Sequence, residues 1–206
     1  MDIHGFLTTH QLPSSYAETA QKWFTPLCEQ LLKHQEGATK PFIVGINGSQ
    51  GSGKSTLTSF VEYYLSSVHG KQVVSLSIDD FYFDQSQRNA LAIKVHPLLA
   101  TRGVPGTHNI PLALDTLRNL DSGSRTLLPR FDKATDNPFP TEQWPVIASS
   151  PDFIILEGWC VGATPQSQSE LKPPINHLEE VEDPLGIWRS FVNTELAGDY
   201  QTLFAK

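Results

Sequence analysis

The chain has 206 residues, 39% apolar and 18% charged, with 15 prolines and 14 glycines, which points to a globular fold with one sizeable core and many loops. A net charge of −7 is a poor match to a nucleic-acid backbone or an anionic bilayer, so neither nucleic acid nor membrane is an expected partner. Cys28 and Cys160, far apart in the chain, form no disulfide framework and no zinc spacing, and they fit a reducing compartment. The start, MDIHGFLTTHQL, lacks the pattern of a signal or transit peptide, and no run approaches the ~20 apolar residues of a membrane helix. A cytoplasmic protein is expected.

In chain order, Ser15 and Glu18 predict a capping box before a helix carrying Tyr16, Ala20, Trp23, Leu27 and Leu31 on one face. Pro26 is expected to kink or divide that helix, and Gly37 to end it. PFIVGI, Pro41–Ile46, reads as a buried parallel strand. Beyond the polar loop that follows, Leu57, Phe60, Val61, Tyr64, Leu65 and Val68 form one helical face, stopped at Gly70. QVVSLSI, Gln72–Ile78, is a second strand, which completes a βαβ unit. Residues 79–107 show a mixed pattern, with HPLLATRGVPGTHN a loop. Pro111 starts a helix with Leu114, Leu117 and Leu120, and RTLLPRFDK predicts a short strand running into a loop. FIILEGW, Phe153–Trp159, is the third apolar strand and ends on an acid. TPQSQSELKPP is a polar linker; Asp183 and Pro184 then cap a helix expected to turn Ile187, Trp188, Phe191 and Val192 inward, and Tyr200, Leu203 and Phe204 continue a helical pattern. There is no internal repeat. One α/β domain over 1–206 is expected, with an N-terminal helical segment (1–40), a nucleotide- and acceptor-binding core (41–162) and a linker with C-terminal helices (163–206).

Gly48-Ser49-Gln50-Gly51-Ser52-Gly53-Lys54-Ser55, followed by Thr56, satisfies G-x-x-x-x-G-K-[ST] between a predicted strand and a predicted helix, the context a phosphate-binding loop requires. Glycines let successive amides turn inward into an anion nest, and the helix that follows presents its positive end to the same anion. Lys54 then reaches the β- and γ-phosphates as a point charge, and the Ser55 hydroxyl is placed to ligate Mg²⁺. A dinucleotide fingerprint fails, because Thr56 stands where the third glycine of G-x-G-x-x-G belongs. A GTPase is not indicated: there is no N-K-x-D selector, and the acid of the third strand lies in LEGW rather than D-x-x-G.

Phosphoryl transfer to an alcohol needs a base near the hydroxyl and a carboxylate near the metal. Asp79 and Asp80, at the carboxyl end of the second strand, stand where open α/β sheets bind ligands and offer the first. Glu157, an acid ending a strand as apolar as FIIL, needs a partner, which Mg²⁺ or its water shell would provide.

GINGSQGSGKST, SIDDFY, RGVPGTHN, LPRFDK and ILEGWCVG, in this order from Pro41 to Gly162, together resemble the D-glycerate 3-kinase-like branch of the phosphate-loop kinases, whose wider relatives are uridine kinase, phosphoribulokinase and pantothenate kinase. The resemblance implies a three-layer α/β fold with a parallel sheet ordered 2-3-1-4-5, ATP with Mg²⁺, and a small hydroxylated acceptor, glycerate preferred. It implies Asp79 as base and metal neighbour, with Asp80 and Tyr82 beside it, Glu157 as the Walker-B-like acid, and acceptor contacts among Arg102, Thr107, His108, Arg130, Asp132 and Lys133. Arg102, Arg130 and Lys133 suit an acceptor carboxylate; a loop histidine such as His108 more often bonds its own backbone. Uridine- or pantothenate-type acceptors are the alternative, as is a nucleotide-binding protein without catalysis. Only three core strands are legible, so an incomplete sheet with an open edge at the first strand, and self-association through that edge, are expected.

Overall fold

The three apolar runs become three strands of one parallel sheet, β1 (Phe42–Asn47), β2 (Val73–Ser77) and β3 (Phe153–Gly158), in the order β1-β3-β2. The structure, a computed structural model, describes residues 2–38 and 41–206; the segment boundary expected at residue 40 lies outside the described residues. β3 lies between two neighbours, and Phe153, Ile154, Ile155 and Leu156 are all buried. Such a strand reads as a continuous apolar run because both of its faces are covered. The sheet of the described residues has three strands, the 2-3-1 part of the expected order. β1 is therefore an edge. Its Phe42, Ile43 and Val44 are half-buried and Gly45 is exposed, so the fully buried strand expected from PFIVGI is corrected to a half-covered one.

The chain divides into two units. The first comprises Met1–Ser77, Arg118–Thr126 and Ile147–Trp159; the second comprises Ile78–Leu117, Leu127–Val146 and Cys160–Lys206. Neither follows the segments 1–40, 41–162 and 163–206.

The first unit holds the sheet together with helices α1 (Ile3–Thr9), α2 (Thr25–Gln35) and α3 (Lys54–Tyr63). Its core joins Phe6, Leu7, Cys28, Leu31, Phe60, Val61, Leu65, Phe153 and Ile155, so α1 and α2 cover the same apolar layer that α3 lays on the sheet. Phe60 is the hub, edge-on to Phe6 at 5.3 Å and tilted against Phe24 at 5.5 Å. Two local expectations change. Ser15 has helical dihedrals (φ −61°, ψ −21°) and makes no capping bond, because a capping side chain reaches the next amides only from an extended residue. Pro26 stands in the first turn of α2, and the expected division of the helix falls just before it, in a π-helical stretch, Ala20–Phe24; Thr25 Oγ1 donates to the Ala20 carbonyl at 3.3 Å. At the end of α3 a second π-helical stretch, Tyr64–Val68, turns Val68 outward, 40% exposed, against its expected place on the buried face.

The second unit is mostly helical: α4 (Gln85–Lys94), the first turns of α5 (Ile110–Ser122), α6 (His177–Glu182), α7 (Ile187–Ala197) and α8 (Asp199–Phe204). The inward face of α7 is shared: of the apolar residues expected there Ile187 is 47% exposed and Trp188, Phe191 and Val192 are partly buried, whereas Arg189, Asn193 and Leu196 are buried. The cause is the polar linker. Arg189 donates to the carbonyls of Leu171 (2.6 Å), Lys172 (3.0 Å) and Asp183 (2.7 Å), and Asn193 both accepts from Gln166 N–H (2.7 Å) and donates to its carbonyl (3.0 Å). A strand of backbone with no ladder of its own is thus satisfied by side chains of one helix. Asp183 caps α7 as expected, accepting from the amides of Trp188 (2.9 Å) and Arg189 (3.1 Å).

Phe60→Ala removes the ring on which Phe6 and Phe24 pack; the expected loss is about 3–5 kcal/mol of unfolding free energy, measured by denaturant titration.

Candidate active site

In the first unit β1 ends at Asn47, and the chain turns through Gly48–Gly53 into α3. Gly51 (φ +77°) and Gly53 (φ +88°) hold left-handed dihedrals that side chains resist. At Gly48 a Cβ would lie 2.6 Å from Ser52 Oγ and 3.0 Å from Lys54 Cγ, so a side chain there would have to push the Ser52 and Lys54 side chains aside. Ser52 N–H donates to the Ser49 carbonyl (3.1 Å), and Lys54 Nζ folds onto the same carbonyl (3.1 Å). Ser49, Gln50, Gly51, Ser52, Gly53 and Ser55 are exposed, and Gly48, Lys54 and Thr56 partly so. An open turn of backbone, a lysine tethered within it and the first turn of a helix form a cradle for an anion.

Glu157 belongs to the same unit. In register it stands between Ile46 of β1 and Ser77 of β2 at the carboxyl end of the sheet. Its Oε2 is buried and has no hydrogen-bond partner. An orphaned carboxylate oxygen in such a place is costly unless a cation or its water answers it. Among the described residues no group of three or more His, Cys, Asp or Glu could cage a metal. The residues fit Mg²⁺, which takes one or two protein oxygens and keeps its water and phosphate ligands.

The second unit carries the acids and cations expected of an acceptor site. Asp79 lies two residues beyond β2, in a tight turn over Ile78–Phe81. Lys133 Nζ donates to Asp79 Oδ2 at 2.7 Å, and the Tyr82 hydroxyl shares a hydrogen bond with the same carboxylate. Burial, then the Asp79 charge, pushes the Tyr82 phenol well above its ordinary range, so Tyr82 is a firm donor. Asp80 accepts from Arg130 (3.2 Å) and from Phe131 N–H (3.3 Å). Asp132 is spent on its own turn, accepting from Ala134 N–H (2.9 Å) and Thr135 Oγ1 (2.8 Å), which together hold its carboxyl below the usual range.

Arg102 pairs with Asp136, as does Arg88. Thr107 is fully buried; its hydroxyl donates to the Val104 carbonyl at 2.7 Å and shapes the loop before it. His108 is also buried. Its Nδ1 meets the Tyr200 hydroxyl at 2.6 Å, and its ring stacks on Tyr82 at 4.3 Å. Burial drives its pKa down to about 3, so the imidazole is neutral at pH 7. Cys160 is buried too, its thiol pushed up to about 12, which suits a spectator and not a nucleophile.

The sequence profile of the phosphoribulokinase/uridine kinase family matches residues 43–164, a span that contains the loop, both aspartates, the Arg130–Lys133 segment and Glu157. The chain belongs to this family. The chain is 33% identical to the uncharacterized kinase mug58 of Schizosaccharomyces pombe over 87% of this chain and 68% of that protein's length. Chloroplastic D-glycerate 3-kinase of Arabidopsis thaliana is 28% identical over 70% of this chain, which spans 34% of that protein. The solved D-glycerate 3-kinase of Cryptococcus neoformans superposes with a TM-score of 0.71 at 26% identity, covering 90% of this chain and 69% of that one. The parallel sheet and its helical layers are thus those of a phosphate-loop kinase of the phosphoribulokinase/uridine kinase type. No helix among the described residues is long and apolar enough to cross a membrane.

Two residues that organise the second unit were not singled out in the sequence. Arg88 is fully buried and donates to the carbonyls of Phe83 (2.8 Å), Ala100 (3.3 Å) and Asp136 (3.2 Å) besides the Asp136 carboxylate. Asp136 itself sits at φ +58° in the turn of the Phe131–Asp132/Asn137–Pro138 hairpin. Arg88 and Arg102 both lie over the Phe131 ring, at 5.9 and 5.6 Å. One signal was present: Asp84 and Gln87 form a complete capping box that announces α4. Arg88→Met leaves the carbonyls of Phe83, Ala100 and Asp136 without their donor, while the Asp136 carboxylate keeps Arg102. The expected cost is about 1–3 kcal/mol, seen as a lower melting temperature by circular dichroism.

Proposed function

We propose that the chain is an ATP-dependent kinase that phosphorylates a hydroxyl of a small metabolite, with D-glycerate as acceptor. The observation that carries the reading is Asp79. It is a half-exposed carboxylate directly after a parallel strand, held by Tyr82 from the buried side and by Lys133 from the exposed side.

ATP is expected along Gly48–Thr56, its β- and γ-phosphates met by loop amides, the α3 N-terminus and Lys54, which leaves the Ser49 carbonyl to reach them. Mg²⁺, when bound, neutralises charge on those phosphates; Ser55 and Glu157 are the residues to hold it. Asp79 was also expected as a metal ligand, and its engagement with Lys133 and Tyr82 favours the role of base. Asp79 orients the acceptor hydroxyl and takes its proton as that oxygen bonds to the γ-phosphorus. The bond to the β–γ bridging oxygen breaks, and its electron pair leaves with ADP. Glycerate is preferred because Arg102, Arg130 and Lys133 gather on the acid-bearing unit, and because D-glycerate 3-kinases are among the proteins it resembles in sequence and fold. Two buried free thiols accord with a reducing compartment such as the cytoplasm.

The test is ATP consumption with glycerate, pantothenate and uridine in turn, repeated with Asp79→Asn. The expected result is turnover with glycerate, lowered about 10²–10⁴-fold in the variant with ATP affinity retained. Turnover with another acceptor alone overturns glycerate. ATP binding without turnover on any acceptor overturns the kinase reading.

A further inference from the structure

The second unit encloses a cavity of about 370 Å³ that the phosphoryl transfer does not use. Phe83, Ile110 and Pro111 give it an apolar side, and His108, Glu195, Asp199 and Tyr200 a polar one. We propose that this cavity binds a small organic ammonium ion, a primary amine on a short apolar body. The inference goes beyond the kinase reading, whose preferred acceptor is an anion.

Three observations support it. The first is unanswered negative charge. Glu195 lies in the last turn of α7 and Asp199 opens α8, so both carboxylates border the cavity across Gly198. Among the described residues neither side chain has a hydrogen bond or an ion pair. Burial, then the Asp199 charge, raises the Glu195 carboxyl above its ordinary value, as expected where no cation stands near. The second is that the walls are built rather than loose. At Gly106 (φ +96°) a Cβ would lie 2.5 Å from Phe191 Cε1 and 3.0 Å from Glu195 Cγ, so α7 lays the Glu195 stem directly on that backbone. Gly106 N–H also donates to the Tyr200 hydroxyl at 3.0 Å, which ties the α8 side of the cavity to the same loop.

The third is His108. The residue is 3% exposed and its Nδ1 is taken by Tyr200, while its Nε2 is buried and has no partner. A buried polar atom left over in a cavity wall is one that a ligand can answer. Because burial keeps this imidazole neutral at pH 7, it adds no positive charge to offset the two acids.

These features select the ligand. An anion meets two carboxylates and is repelled. A bare metal ion is far smaller than the space, and among the described residues no three His, Cys, Asp or Glu gather to cage one. An ammonium group answers the acids through its N–H donors, and a short hydrocarbon body covers the Phe83, Ile110 and Pro111 side.

The experiment titrates phenethylamine, and phenethyl alcohol as its neutral counterpart, into the intact chain by calorimetry. Wild type is expected to bind the amine with a Kd of about 1 mM or below, and the alcohol at least about tenfold more weakly. Glu195→Gln is expected to weaken amine binding about tenfold, and Asp199→Asn, at the exposed rim, to weaken it less. Thr194→Trp, which sets a ring over the exposed rim of the same cavity, is expected to abolish it. Circular dichroism checks that each variant is folded. The proposal is overturned by an amine that binds no better than the alcohol, that binds Glu195→Gln or Thr194→Trp as tightly as wild type, or that fails to bind at about 10 mM. Any of these results leaves the kinase reading standing, because ATP consumption tests that separately.

Discussion

The chemistry of this chain starts from a strand with no polar relief. β3 runs between β1 and β2 with four consecutive buried apolar residues and then meets Glu157, one oxygen of which is buried and unpartnered. Parallel pairing in register sets the ends of all three strands level, so the turn after β1 opens at the same edge of the sheet as Glu157. The glycine-rich loop follows from that placement. A chain leaving an edge strand and entering a helix within a few residues needs the left-handed dihedrals of Gly51 and Gly53.

The second unit solves a different problem, that of pairing several charges in little space. Each candidate side chain has a neighbour that fixes it: Tyr82 for Asp79, Phe131 N–H for Asp80, Asp136 for Arg102. Arg88 stands under this set, fully buried and bonded to three carbonyls. Its role is to bind the start of α4, the loop at Ala100 and the hairpin turn at Asp136 into one piece. The neutral imidazole of His108, stacked on Tyr82 and bonded to Tyr200, links the same region to α8.

Much of the first unit was legible in the sequence, because its signals are local or periodic. The loop pattern, the apolar runs of β2 and β3, and the stop at Gly70 (φ +64°) need no partner to be read. The covering of β1 was not, since whether Phe42, Ile43 and Val44 are buried depends on which strands lie beside them. The second unit was read poorly for a related reason. Its order comes from polar side chains bonded to distant backbone: Arg88 to Asp136, Arg189 to Leu171, Asn193 to Gln166. Such pairs leave no period, and a buried arginine reads as a surface one. Of the apolar stripe, Ile187 turned outward and Trp188, Phe191 and Val192 stayed only partly buried, because Arg189 and Asn193 take the inward face to bond linker backbone.

The central claim is that Glu157 answers a magnesium-bound triphosphate on the Gly48–Thr56 loop. Calorimetric titration of ATP with and without Mg²⁺, into wild type and Glu157→Gln, tests it most directly. The account predicts that Mg²⁺ strengthens ATP binding in wild type and that this gain largely disappears in Glu157→Gln, while metal-free ATP binds both alike. An equal gain from Mg²⁺ in the two proteins would contradict it.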